Sequence, residues 1–369
     1  MEQKNKILFI LHLPPPIHGA AMVGKYIHDS ELINNQFNSK YINLTMASGL
    51  EDIGKMDIKK LWRFVALIYR IRKEVKLMSP DLIYVTPNAK GGAFFKEFII
   101  VQILKSMGCK VVAHYHNKGV STKQDQWLYN KLYKRFFKGI KVILLGKSLY
   151  QDVKKYVEWE NVRICPNGIP EEGRYKKEDV RGVNVEPRLL FLSNLIESKG
   201  VIVLLDALKI LKDKGYSFVC DFVGGETTEI DAKRFEEEVR KRGLTGVALY
   251  QGKKYGEEKD KAFKQAEILA FPTYYDNECF PLVLLEAMSQ GLPCVTTVEG
   301  AIGDIVDDGV NGLIAERKNS QSLAGKIEQL LKDSELRKKM GQAGYEKYKR
   351  EFTLEVFEMR MCEILKQLC

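Results

Sequence analysis

The stretch Asp276 to Gly291, DNECFPLVLLEAMSQG, is the one on which the reading of the chain turns. Two carboxylates, Glu278 and Glu286, stand eight residues apart. Pro281 between them suits the first turn of a helix, where its missing N–H costs nothing. Upstream, Glu267 to Tyr274 (EILAFPTY) reads as a short buried strand closed by a proline. Glu278 is therefore expected on the loop above a strand end, and Glu286 about two turns into the following helix. A site built this way has one carboxylate at the helix mouth, a second on its flank, and free N–H groups aimed at an anion. Both glutamates would also be at home as solvated helix-surface charges.

Outward from that stretch, strand and helix patterns alternate. In the first half, strands are expected at 6–13, 40–44, 81–86, 110–116, 142–145 and 162–165. Helices are expected at 21–31, 55–76, 96–107, 126–137 and 149–156. Residues 170–187, polar and rich in Gly and Pro, read as a linker. A second series then places strands at 188–193, 218–223, 248–251, 268–272, 293–297 and 312–314. Its helices fall at 201–214, 232–242, 258–266, 282–290, 303–308 and 320–332, with a last amphipathic helix at 354–368. Alternation of this kind argues for parallel sheets covered on both faces by helices. The fold class is thus α/β, with two tandem Rossmann-like domains, 1–169 and 188–349.

The seven cysteines, at 109, 165, 220, 279, 294, 362 and 369, form no Cys-x-x-Cys pair, so neither a disulfide framework nor a zinc site is suggested. The apolar run Ile7 to Leu13 is too short for a signal peptide, and no run of 18 apolar residues exists to span a membrane. The expected setting is cytoplasmic. Charge is uneven: residues 1–168 carry a net +14 and residues 169–369 a net −4. A basic first half calls for an anionic partner, a membrane surface or a lipid pyrophosphate, and no nucleic-acid motif accompanies it.

Within that half, Lys55 to Lys76 reads as a long helix. Leu61, Phe64, Val65, Ile68, Ile71 and Val75 form its apolar face, and Lys59, Arg63, Arg70 and Lys73 recur on another. Trp62 and Tyr69 flank the boundary. Packing of the apolar stripe on the sheet is the favoured account. A basic stripe edged by aromatics also fits contact with an anionic membrane, and the two are compatible.

The Asp276–Gly291 run, followed by Gly291-Leu292-Pro293, resembles the Glu-any-seven-Glu signature of retaining GT-B glycosyltransferases, family four. Other segments add to the resemblance. His116 falls where the family's active-site His ends its strand, and Asn117 and Gly119 follow it on the loop. His114 shares its face by alternation, so pattern alone does not choose between them; His114 is read as structural. Pro166-Asn167-Gly168 resembles the turn closing the family's first domain. Leu192-Ser193-Asn194-Leu195-Ile196-Glu197-Ser198-Lys199-Gly200 resembles its Gly-Arg-Leu-x-x-x-Lys-Gly phosphate grip, with Ser193 in place of Gly and Asn194 in place of Arg. Gly19 keeps one of the two glycines usual after the first strand, and Ala20 holds the other place. Val223-Gly224-Gly225 and Glu299-Gly300-Ala301-Ile302-Gly303 resemble its nucleotide-side and sugar-side turns, and Gly252 to Tyr255 the region of the base.

The resemblance implies the two domains facing across a cleft, the closing helix 350–369 returning to the first domain, and transfer of a sugar from a UDP- or GDP-linked donor to a saccharide or lipid-linked hydroxyl. It implies Glu286 on the ribose, and Lys199 with the N–H groups of Leu282 and Val283 on the diphosphate. Glu278 is implied at the donor sugar, and Gly19, Asn194 and Gly224 nearby. His116 and Asn117 are implied toward the sugar and acceptor. No cofactor is expected, and no metal, Lys199 taking part of a metal's charge role. The Asn194 and Ala20 departures leave open a catalytically silent nucleotide-sugar-binding subunit. A sugar-nucleotide epimerase needs further acid and base groups that the sequence does not supply.

Overall fold

The computed structural model describes residues 4–15, 19–44, 58–171 and 186–369, with backbone alone at 58–60. The expected loop residues Pro16, Ile17 and His18, the start of the helix before Ile58, and most of the linker lie outside the described residues. The chain forms two compact units, Met1–Gly168 with Leu354–Cys369, and Ile169–Thr353.

The first unit is a six-stranded parallel sheet. Its strands are β1 (Lys6–Leu11), β2 (Asn38–Asn43), β3 (Leu82–Val85), β4 (Val111–Tyr115), β5 (Lys141–Leu144) and β6 (Val162–Ile164), in the order β2-β1-β3-β4-β5-β6. Apart from Lys6 and His114, β1, β3 and β4 are apolar, and all but Lys6 is buried on both faces, as parallel strands between helices must be. The order reverses between β1 and β3, which start from opposite sides of the first crossover. Ligands in such sheets bind beyond the carboxyl ends near that point.

The second unit repeats the plan with β7 (Arg188–Leu192), β8 (Val219–Val223), β9 (Ala248–Tyr250), β10 (Ile268–Phe271), β11 (Cys294–Thr297) and β12 (Gly312–Ala315), ordered β12-β11-β10-β7-β8-β9. Its switch point lies between β7 and β10. The loops carrying Lys199 and Glu278 both leave the sheet there.

The helix Leu354–Leu368 packs Phe357, Met361 and Leu365, all fully buried, into the core formed by Ile7, Phe9, Tyr84 and Val112 of the first unit. Three helices among the described residues were not expected from the sequence: Glu31–Gln36, capped by Ser30 Oγ on the Ile33 N–H, the single turn Val120–Lys123, and Ser334–Glu351, capped by Asp333 on the Leu336 N–H. The helix expected at 149–156 is a short turn, Lys147–Leu149, and one helical turn, Tyr150–Val153. That expected at 303–308 is only Ile302–Ile305.

The long basic helix, Ile58–Met78, departs from expectation in its packing. Ile71 and Val75 are buried, but Leu61 is 63% exposed, and Trp62, Val65 and Tyr69 are exposed as well. The reason is length. At about 1.5 Å per residue its 21 residues outrun neighbouring strands of four to six residues, which cover only one part of it. Among the described residues no helix is long and apolar enough to cross a membrane.

Candidate active site

In the second unit the site is assembled at the carboxyl ends of β7, β8, β10 and β11. After β10 the chain turns at Pro272 and Thr273, and Glu278 is brought under the helix Leu282–Ser289. Pro281 is the N-cap, with φ −72° and ψ 113°. Glu286 is the fifth residue of the helix, just over one turn in, a correction to the expected two turns, because at 3.6 residues per turn four residues cover little more than one. The N–H groups of Leu282 and Val283 fall in the first turn, where a helix has no internal acceptors to offer them.

Lys199 ends the short turn after β7, and its Nζ lies 2.5 Å from Glu278 Oε2. Both side chains are largely buried, and Lys199 also stands over the rings of Tyr275 (4.7 Å) and Phe271 (5.6 Å). Gly200, at φ +92°, permits this turn; a Cβ there would meet the Pro272 carbonyl at 2.3 Å. A second ion pair joins Lys259 Nζ to Glu286 Oε1 at 3.0 Å. A third joins Arg317 to Glu299 at 2.8 Å, with Asp276 at 3.6 Å and the Tyr274 carbonyl at 3.3 Å. Ala301 N–H donates to the Cys279 carbonyl, so the turn after β11 holds the segment bearing Glu278. Sequence reasoning missed Lys259 and Arg317, whose partners are far along the chain.

Asn194 does not point freely toward a ligand. Its Oδ1 accepts the Gly225 N–H at 3.2 Å, tying the loop after β7 to the loop after β8. Gly224 has no room for a side chain, since a Cβ would come within 1.8 Å of the Ser193 carbonyl oxygen.

The first unit gathers the remaining residues at the ends of β1, β3 and β4. His114 is fully buried and shares a 2.7 Å hydrogen bond with the Tyr84 hydroxyl. Burial, and to a lesser degree His116, holds its pKa well below the usual imidazole range, so it is neutral. His116 follows it on the same face, ring to ring at 4.2 Å, and is only partly buried. Asn117 is a tie: its Oδ1 accepts from the Ala89 N–H and its amide donates to the Pro87 carbonyl. Gly19 opens the helix Gly19–Asp29 with open space around it. Missed by the sequence reading is Glu97, buried beneath the loop after β3. It accepts from both N–H donors of Asn88, and its Oε1 lies 3.6 Å from His12 Nε2. Burial pushes its carboxyl up to about 7, against the opposing pull of Asn88.

Residues 176–347 match the family model described as glycosyl transferases group 1. That match takes in nearly all of the second unit. The chain is 31% identical over 228 residues to an uncharacterized glycosyltransferase of Methanocaldococcus jannaschii, covering 62% of this chain and 60% of that one. It is 26% identical over 272 residues to the amylovoran biosynthesis glycosyltransferase AmsK of Erwinia amylovora, covering 72% and 66%. The alignments thus span less than two thirds of either relative's own length. In structure the chain is similar to sucrose-phosphate synthase of Thermosynechococcus elongatus, with TM-score 0.77 at 18% identity over 99% of each chain. It is also similar to Anabaena HepE in complex with UDP, with TM-score 0.76 at 17% identity over 98% and 100%. These likenesses establish the GT-B fold, with its two parallel sheets.

Proposed function

We propose that the protein is a retaining, metal-independent glycosyltransferase. It moves a sugar from a UDP- or GDP-linked donor to a hydroxyl of a saccharide or lipid-linked acceptor, in cell-surface polysaccharide or glycolipid synthesis. The observation that carries this reading is the trio Lys199, Glu278 and Glu286 around the start of one helix. Glu286 offers two acceptor oxygens to the ribose diol. Lys199 and the N–H groups of Leu282 and Val283 receive the diphosphate as its charge grows. Glu278 lies beside the donor sugar, a carboxylate suited to developing positive charge at the anomeric carbon.

The glycosidic C–O bond to the diphosphate breaks, and the acceptor oxygen forms its bond on the same face. The acceptor proton passes to the departing phosphate oxygen. On the first unit, His116 exchanges hydrogen bonds with a sugar hydroxyl, and Asn117 acts by fixing the loop that carries it. The diphosphate's charge is met by Lys199 and backbone donors, so no metal or cofactor enters this account. AmsK, named for amylovoran biosynthesis, and HepE, solved with UDP, support the substrate class.

The net positive charge of residues 1–168 favours an acceptor at a lipid surface. Arg63, Arg70 and Lys73, with Lys59 outside the described side chains, share their helix with exposed Leu61, Trp62, Val65 and Tyr69. Such a helix suits the headgroup region of an anionic bilayer, and we assign the protein to the inner face of the cell membrane as a peripheral enzyme.

The test is incubation of the purified protein with a panel of UDP- and GDP-sugars, with and without chelator. Release of nucleoside diphosphate that persists with chelator supports the reading. No release with any donor, added saccharides or lipid-linked acceptors included, overturns it.

A further inference from the structure

In the phosphate-grip motif that this chain resembles, Asn194 stands in place of the Arg, and a donor diphosphate carries more charge than Lys199 alone neutralises. The compensating group is to be sought among cations whose charge is not already met. At the strand ends of the second unit, Lys199 faces Glu278, Lys259 faces Glu286 and Arg317 faces Glu299. Lys253, on the loop after β9, meets no carboxylate among the described residues. Its Nζ stands instead 5.1 Å from the centre of the Tyr255 ring, itself 59% exposed.

Three loops converge around it. The Gly224 N–H donates to the Gly252 carbonyl at 2.9 Å, Leu195 N–H to the Gly225 carbonyl at 2.8 Å, and Gly225 N–H to Asn194 Oδ1 at 3.2 Å. These bonds set the loops after β7, β8 and β9 side by side. A methyl group on Gly225 would come within 3.1 Å of Asn194 Oδ1 and 3.6 Å of Lys253 Cδ. The lysine stem and the asparagine amide therefore meet over the same glycine.

We propose that Lys253 is the second phosphate-binding cation of the donor site, reaching across Gly225 to the place an arginine at 194 would occupy. The inference rests on the donor reading given above. Without ligand, the Tyr255 ring holds the ammonium at the exposed end of its stem. With a nucleoside diphosphate bound, the ammonium exchanges a ring face for phosphate oxygens, the stronger partner for a compact cation. Asn194 supports this by holding Gly225, and the absence of a side chain at 225 leaves the path clear.

The experiment is calorimetric titration of the full chain with UDP, GDP, uridine and guanosine, at low and high salt. For whichever diphosphate the wild type binds, Lys253→Met weakens binding on the order of tenfold or more and flattens its salt dependence. Nucleoside binding stays as in wild type. Lys253→Arg remains close to wild type, and Asn194→Arg added to Lys253→Met regains diphosphate affinity. Lys264→Met, an exposed lysine on the following helix, is the charge-matched control and leaves binding unchanged. If wild type and Lys253→Met bind the diphosphate equally, the assignment of Lys253 falls while the donor reading stands. Equal loss of diphosphate and nucleoside also overturns it, because the lysine would then be acting through Tyr255. A wild type that binds neither diphosphate removes the donor reading and this inference together.

Discussion

Lys259 Nζ lies 3.0 Å from Glu286 Oε1, and each side chain is only one quarter exposed. The pairing orients the carboxylate and still leaves lone pairs on both oxygens for the ribose diol proposed above. Glu286→Gln keeps a single acceptor and loses charge, so donor affinity falls by about 1.5–3 kcal/mol, one charged hydrogen bond's worth. Lys259→Met, which frees Glu286 to rotate, weakens donor binding by a smaller amount. Unchanged affinity in Glu286→Gln, measured by titration with the donor, would remove it from the ribose.

Lys199→Ala has two separable effects. It removes the charge proposed to meet the diphosphate, and it leaves Glu278, 8% exposed, without its cation. Stability is expected to drop by about 3 kcal/mol, the usual size for half of a buried pair. Lys199→Met combined with Glu278→Gln recovers most of that stability in urea melts and none of the turnover. Recovery of both would show the pair to be structural alone.

Gly300 has φ +56°, and a Cβ there would meet the Glu278 carbonyl oxygen at 2.3 Å and that of Cys279 at 2.6 Å. Gly300→Ala must push the Glu278 segment aside. Turnover is expected to fall more than tenfold, since a shift of this kind misplaces the reacting group. A kcat equal to wild type would show that the turn tolerates displacement.

Glu97 gives a pH signature. Burial pushes its carboxyl up to about 7, from about 4.5 in the unfolded chain, so the native state binds the extra proton between these values. Stability therefore declines as pH rises from about 4.5 to 7 and levels off above. Each unit corresponds to about 1.4 kcal/mol, which bounds the effect at roughly 3 kcal/mol. The groups facing Glu97 are His12 at 3.6 Å, the two Asn88 donors and, through space, Lys96. Glu97→Gln should flatten this part of the profile in denaturant melts at stepped pH. A variant whose profile runs parallel to wild type would assign the slope to other groups.

Vesicle co-sedimentation tests the surface reading. Binding to anionic vesicles at low salt, release at high salt, and loss on changing Arg63, Arg70 and Lys73 to Glu are the expected results. Trp62→Ser with Tyr69→Ser should weaken attachment without altering its salt dependence. A wild type that ignores anionic vesicles at low salt makes a soluble acceptor the better account.

Much of this was legible along the chain because its signals are local. Apolar strands, the Lys199-Gly200 turn and the spacing of Glu278 and Glu286 are all written within short windows. The ion pairs of Lys259 and Arg317 were not, because the first joins two helices and the second two loops that only the sheet order brings together. The helix Ser334–Glu351 escaped for a different reason: its buried face includes Gly341 and Gly344, and small residues leave no apolar stripe. A Cβ on Gly341 would strike the Gly291 carbonyl oxygen at 2.0 Å, so the glycine marks close approach, not a break. The basic helix misled in the opposite direction, since an apolar stripe does not say how much sheet lies beneath it.

The seating of Phe357, Met361 and Leu365 in the core of the first unit bears on how the chain is made. That unit begins with residues made before the second unit and is finished by residues made after it. Through most of synthesis its sheet carries an uncovered apolar surface beside β1 and β3, while the second unit has all its parts earlier. A stop codon a few residues before Leu354 would therefore damage the half of the protein farthest from it in sequence, leaving a nascent first unit that chaperones must hold or proteases remove.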